Sequence, residues 1–294
     1  MKFMKIRGIA AIFAFLFVLV SCAAAIAETA LSVLPDARKA VSIGEAFIDE
    51  ELTYQIGMLI FDNAAIGHLS LKKGGGEDYL ATLTAETFGM IDRIYHRKDT
   101  YIARLNMTND GKRFITKTFE KIVDVNGRIR RGITYMDFEK GVMTWKSWGG
   151  GKPDGNGIVT FAPGVYYDDP LGAFYNFRYG IFGTIGEGKV YRIPTFPKQG
   201  HVPAITMRIN TKEEMEKRTG GKKPYADFLA DVKVDKELFG SGTGELEVFF
   251  TDGLVPVEAV AKDIIFFGDI RGKLKTINMS MGLKKTSSAP RTSE

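Results

Sequence analysis

Residues 122–136 read Ile122-Val123-Asp124-Val125-Asn126-Gly127-Arg128-Ile129-Arg130-Arg131-Gly132-Ile133-Thr134-Tyr135-Met136. Asn126 and Gly127 both tolerate the positive φ that a type I′ turn demands, and they lie between β-prone runs. Beyond the turn, Ile129, Arg131, Ile133 and Tyr135 alternate with Arg130, Gly132, Thr134 and Met136. That period of two marks a strand, so one antiparallel hairpin is expected here. The pattern extends upstream. Leu52, Tyr54, Ile56, Met58 and Ile60 share one face of a first strand, and Leu59 and Phe61 make its second face apolar too. Asp62-Asn63 offers a turn, and 67–71 reads as the returning strand. After a turn over 72–76, Tyr79, Ala81, Leu83 and Ala85 line another strand; Tyr101, Ala103, Leu105 and Met107 line a fourth, closed by Asn109-Asp110-Gly111. Lys140-Gly141 turns the chain into a strand over 142–148. Gly149-Gly150-Gly151-Lys152-Pro153-Asp154-Gly155-Asn156-Gly157 reads by composition as a mobile loop.

One helix stands out near the middle of the chain. Asp168 or Asp169 is its N-cap, Pro170 its first residue, and Leu171, Phe174, Tyr175 and Arg178 follow. Proline at that position loses no helical hydrogen bond, and aspartate complements the helix dipole. A second short helix is expected over 211–218, in a charged loop. Strands resume at 189–193, 204–209, 228–234, 245–251, 255–267 and 270–281. The fold class is therefore mainly β: a large antiparallel curved sheet, or half-barrel meander, with one amphipathic helix near its middle. The 33 glycines among 294 residues and the 12% aromatic content suit short strands joined by tight turns.

The first residues read as an address. Lys2, Lys5 and Arg7 precede an uncharged run over 8–20 containing Phe13, Phe15, Leu16 and Val18. A basic start and a short apolar run form an export signal, too short for a permanent span. Two cleavage readings stand side by side: Ala25-Ile26-Ala27 before Glu28, giving a soluble periplasmic chain, or Leu19-Val20-Ser21-Cys22, a lipobox in which Cys22 is acylated. Domain organisation is then 1–27 signal (ending before Cys22 in the lipobox reading), 28–46 an N-terminal tether or short helix packed outside, 47–283 one β-rich domain, and 284–294 a disordered tail. Removing 1–27 lowers the net charge from +5 to +2, which leaves no electrostatic case for nucleic acid. With Cys22 the only cysteine, an intrachain disulfide and a cysteine zinc site are excluded.

Three stretches together resemble an exported bacterial envelope family, the domain of unknown function 3108. They are Glu51-Leu52-Thr53-Tyr54 with Gly67; Asp169-Pro170-Leu171-Gly172-Ala173-Phe174-Tyr175, with Gly172 where the family usually has serine; and Phe250-Thr251-Asp252-Gly253-Leu254-Val255-Pro256-Val257. Gly268-Asp269-Ile270-Arg271-Gly272 fits the family's C-terminal hairpin. The resemblance implies export and a β-rich fold, and no established activity. At the level of pattern, a long sheet with one central helix is also similar to the periplasmic lipoprotein carriers, whose curved sheet holds acyl chains under a helical lid.

The chemistry of catalysis is hard to find. His68, His96 and His201 show no metal-ligand spacing, and no metal or cofactor is expected. Gly240-Ser241-Gly242-Thr243-Gly244 lacks the helix a nucleophile elbow needs. Asp168, Asp169, Asp252, Glu258 and Asp269 are the acids that a glycan hydrolase would draw on for a facing pair. Basic runs at 93–98 and 128–131 read as solvent faces, with a headgroup or polysaccharide contact as the alternative. What remains is apolar surface on both faces of Met58-Leu59-Ile60-Phe61 and Ile264-Ile265-Phe266-Phe267, and on the helix with Phe174, Tyr175, Phe177 and Tyr179. A second sheet or closed barrel would cover it as an ordinary core; the sharper alternative is a groove. The expected function is accordingly non-enzymatic: a periplasmic or outer-membrane-attached protein holding a lipid or other apolar envelope molecule, lined by Tyr54, Ile56, Met58, Ile60, Leu171, Phe174 and Tyr175 and gated by the helix. The alternatives are an assembly factor binding an envelope protein, and a carboxylate hydrolase of cell-wall glycan. Membrane contact is expected only through a lipid on Cys22.

Overall fold

Asn126 and Gly127 take φ of 51° and 78°, the left-handed pair that a two-residue hairpin requires. The computed structural model describes residues 37–58, 61–197, 203–222, 225–234, 244–264 and 268–279. Residues 1–36 with Cys22, Ile60, His201, 265–267 and 280–294 lie outside them. The chain runs through a 3-10 turn (Ala37–Lys39), α1 (Ile43–Phe47), β1 (Glu51–Met58), β2 (Phe61–Lys73), β3 (Tyr79–Thr87), α2 (Gly89–Ile94), β4 (Arg97–Met107), β5 (Phe114–Val125), β6 (Arg128–Asp137), β7 (Val142–Gly149) and β8 (Lys152–Thr160). It continues through α3 (Pro170–Tyr179), β9 (Val190–Pro194), β10 (Ala204–Ile209), α4 (Lys212–Thr219), β11 (Phe228–Lys233), β12 (Glu245–Phe250), β13 (Pro256–Ile264) and β14 (Gly268–Asn278).

All fourteen strands form one open, curved, antiparallel sheet. The first eight step away from β1 in sequence order, and the last six step back toward it, so that β14 pairs with β1. The first and last strands therefore meet in the interior of the sheet, while β8 and β9 are its edges. In the chain, α3 lies between those two edges, and side chains from both halves of the sheet pack on it. Strict alternation builds the inner face: β3 reads buried at every odd residue from Tyr79 to Thr87. Part of the outer face of the C-terminal half is closed too, by Met215 of α4 and Tyr225 over Leu229, Phe249 and Val257. The second apolar faces expected at Leu59-Ile60 and 264–267 lie outside what the structure describes, and the described residues form neither a second sheet nor a closed barrel.

Several expectations need correction. The stretch 149–157 is no loop: Gly150 and Gly151, with φ of 58° and 78°, make a second two-residue turn, and 152–160 is edge strand β8. The Trp145 ring covers its glycines; a Cβ at Gly157 would lie 2.5 Å from Trp145 Nε1. An aromatic on the neighbouring strand thus replaces the side chains that the glycines lack, and Pro153 is tolerated because β8 is an edge. The first hairpin reverses between Met58 and Phe61, which pair. Asp62 and Asn63 are exposed strand residues, not a turn. The described part of the segment read as a tether or outer helix, 37–46, carries Ile43 into the core. Arg97, read within a solvent-facing basic run, is buried against Asp99, the two residues sharing the inner face of β4. Finally, α3 shows no wet face: all its residues but Phe174 are buried, including Asn176 and Arg178.

The polar residues of α3 are buried because each has a partner. Arg178 donates to both Glu50 carboxylate oxygens at 2.6 and 2.8 Å and to the Leu254 carbonyl at 3.0 Å. Its guanidinium lies 4.7 Å from the Phe47 ring centroid and 4.9 Å from that of Phe174. Glu50→Leu leaves that guanidinium buried without its anion and is expected to cost about 3–5 kcal/mol in urea unfolding. Glu50→Leu with Arg178→Met is expected to recover most of that loss. A single-variant cost below about 1 kcal/mol would show that the pair does not hold the helix.

Candidate functional site

The helix is held from its first turn onward. Asp169 caps α3 by accepting from the backbone N–H of Leu171 (2.7 Å) and Gly172 (3.1 Å), and the Thr116 hydroxyl donates to its second oxygen at 2.5 Å. Asp168 accepts two hydrogen bonds from Arg113 Nη2 and one from Asn176 Nδ2. The Asn176 amide also pairs with Phe114 as a strand would, accepting from its N–H at 2.8 Å and donating to its carbonyl at 2.9 Å. With Arg178 on Glu50 at the other end, these contacts tie α3 to β5, to the residue preceding β1 and to the turn before β13. A lid that swings open would break them all, so the expected gating by the helix does not fit this geometry.

One flank of α3 carries an apolar pocket of about 100 Å³. Leu171, Phe174 and Phe177 form its helical wall, and the sheet supplies Tyr54, Leu69 and Leu83 from the N-terminal half. Ile193, Ile205, Met207, Val232 and Val248 close it from the other half. The Tyr54 hydroxyl is the one side-chain polar group in the lining, and it donates to the Pro256 carbonyl at 3.4 Å. Burial pushes that hydroxyl's pKa upward, so it stays neutral. Of the expected lining, Tyr54, Leu171 and Phe174 are there. Ile56 and Met58 are buried on the same strand but outside the pocket wall. Tyr175 lies on another flank of α3, against Phe47 and Phe114 at ring separations of 5.2 and 6.3 Å. Ile60 is outside the described residues. The C-terminal wall was missed because alternation identifies an inner face on each strand without showing which distant strands share it.

The other candidate chemistry is dispersed. Asp168 and Asp169 hold the helix, Asp252 is exposed at a turn, and Asp269 approaches Lys262 at 3.4 Å. Glu258 is buried on the opposite face of the sheet, accepting from the Tyr225 hydroxyl at 2.7 Å. His68 contacts Thr53 and His96 contacts Asp92, at 3.2 and 2.7 Å. Among the described residues no group of three histidine, cysteine or acidic side chains is placed to hold a metal, and no helix is long and apolar enough to cross a membrane.

No family model matches the chain, so membership of domain of unknown function 3108 is not shown. No curated protein matches it either. Among solved structures it is similar to a crystal structure of a beta-barrel-like protein of domain of unknown function DUF1849 from Brucella abortus. That likeness has a TM-score of 0.44 at 14% identity, over 79% of this chain and 98% of the other.

Burial pushes the Asp169 carboxyl up to about 6, against the pull of its three hydrogen bonds. In the unfolded chain the same group releases its proton near its ordinary 3.8. Between those values the folded state binds more protons, so this group's contribution to stability falls as pH rises from about 4 to about 6. The decline amounts to about 3 kcal/mol if the whole shift is expressed. Asp169→Asn keeps a cap and cannot ionise. Urea midpoints measured across pH 4–7 are expected to favour the wild type at the acid end relative to this variant, and identical pH profiles would contradict the shift.

Proposed function

We propose that the chain is a non-enzymatic binding protein that holds a lipid or another apolar molecule in the pocket between α3 and the inner face of the sheet. The observation that carries this reading is a pocket walled by apolar side chains from both halves of the sheet, with its one hydroxyl already engaged. The export signal read from the first residues would place that activity in the periplasm or, with Cys22 acylated, on the outer membrane. Strand addition by a protein partner is less favoured, because edge strand β8 carries Lys152 and Pro153, residues that blunt an edge.

Size limits the occupant. A volume of about 100 Å³ falls below the roughly 300–1,000 Å³ of drug-sized ligand sites, and is nearer to cavities that take a benzene-sized group. A few buried methylenes at about 0.8 kcal/mol each give an affinity no tighter than millimolar. A longer chain enters only if a side chain yields, and Phe174, the one residue of the fixed helix left half-buried, would yield at the cost of its contact with the Arg178 guanidinium.

Phe174→Glu is expected to weaken retention of an apolar ligand, but it also sets a carboxylate beside Arg178. Ala259→Phe is the cleaner test, since Ala259 lines the pocket from β13 and a ring there fills it. Titration with the neutral fluorophore N-phenyl-1-naphthylamine is expected to show saturable binding to the wild type and at least tenfold weaker binding to Ala259→Phe with an unchanged unfolding transition. Equal binding by both folded proteins would place the probe elsewhere and overturn the reading.

A further inference from the structure

The inner face of the N-terminal half changes character beyond the pocket. Leu69 pairs with Leu83, Leu83 with Tyr101, and Tyr101 with Lys121, so one cross-strand row runs from two pocket-lining leucines to a lysine. At 4.7–4.9 Å per strand, Lys121 starts about 10 Å from the backbone of Leu83. Its neighbours along β5, Phe119 and Val123, belong to the same inward face, and Val123 is buried.

The charges around this row do not balance. Arg97 and Asp99 form a buried bidentate pair, Nε to Oδ1 and Nη2 to Oδ2, each at 2.9 Å. Asp99 is thereby neutralised. Lys121 is half-buried, its ammonium 5.5 Å from the centroid of the Tyr101 ring. Among the described residues no hydrogen bond or ion pair engages that ammonium. Burial pushes Lys121 down to about 8, with Arg97 adding to the shift and Asp99 opposing it. The Tyr101 hydroxyl is fully buried and also finds no hydrogen-bond partner among the described residues. Arg130, exposed and paired across from Val123, adds a second positive charge to this face. A net cation and an unused donor, both buried or partly so, are costly unless an anion completes them.

We propose that Lys121 and the Tyr101 hydroxyl form a head-group site for the carboxylate of an amphiphile whose tail enters the apolar pocket past Leu83. This rests on the binding reading above and narrows it to an anionic ligand of medium chain length. It also accounts for how a pocket too small for tight apolar binding acquires affinity: a charge-assisted hydrogen bond to a partly buried lysine supplies what a few methylenes do not.

Decanoate and decanol, matched in chain and differing in the head, separate the two claims. Calorimetric titration of the full chain at pH 7 is expected to show decanoate binding at least tenfold more tightly than decanol. In Lys121→Met that preference is expected to vanish while decanol affinity stays unchanged, and Lys121→Arg is expected to restore part of it. Lys121→Gln serves if the methionine variant fails to fold by circular dichroism. An equal preference for decanoate in wild type and variant would overturn the head-group site and leave the pocket standing. Failure of the wild type to bind either probe would overturn both.

Discussion

The contact on which the rest of this structure depends is the buried pair of Arg178 and Glu50. Arg178 comes from α3, the longest helix among the described residues, Glu50 stands immediately before β1, and the guanidinium also reaches the Leu254 carbonyl ahead of β13. One side chain thus joins the helix to the region where the first and last strands of the sheet meet, since β1 and β14 are paired. Its net contribution to stability is small, because desolvating two charges offsets most of their attraction. What it sets is position. With the charges paired and the Phe47 ring against the guanidinium, the helix has one depth and one rotation.

That fixed rotation decides where function can reside. Asn176, Asp168 and Asp169 tie one flank of α3 to β5, and Tyr175 fills the space against Phe47 and Phe114. The flank carrying Leu171, Phe174 and Phe177 is left to face both halves of the curved sheet, and there the packing is incomplete by about 100 Å³. A helix held by buried polar contacts cannot act as a lid in the way a surface helix does. On the proposed binding reading, ligand entry then depends on side-chain motion at Phe174, and affinity on the proposed polar anchor outside the pocket.

The elements with local chemistry were legible in the sequence. Asn126-Gly127 and Asp169-Pro170 announce a turn and a helix start because the required φ, the cap and the missing N–H are properties of one or two residues. The thirteen-residue strand β2 and strand β8 were misread for opposite reasons. Asp62 and Asn63 resemble a turn but are strand residues facing solvent, and 149–157 resembles a loop although its Gly155 and Gly157 are strand residues covered by Trp145 of β7. Burial of Arg97 was within reach: Arg97 and Asp99 occupy the same alternate positions as Tyr101, Ala103 and Leu105, whose apolar character marks the inner face. The C-terminal wall of the pocket was not within reach, because nothing local shows that β1 pairs with β14 and brings Ile205, Val232 and Val248 around the helix.

The most direct measurement is native mass spectrometry of the full chain purified gently and without detergent, followed by organic extraction of what it carries. A discrete adduct, released into the organic phase and bearing an acyl chain with an acidic head, is the predicted result. A bare protein mass under conditions that preserve the folded charge-state distribution would contradict a ligand-holding role and leave the space beside α3 as an ordinary packing defect.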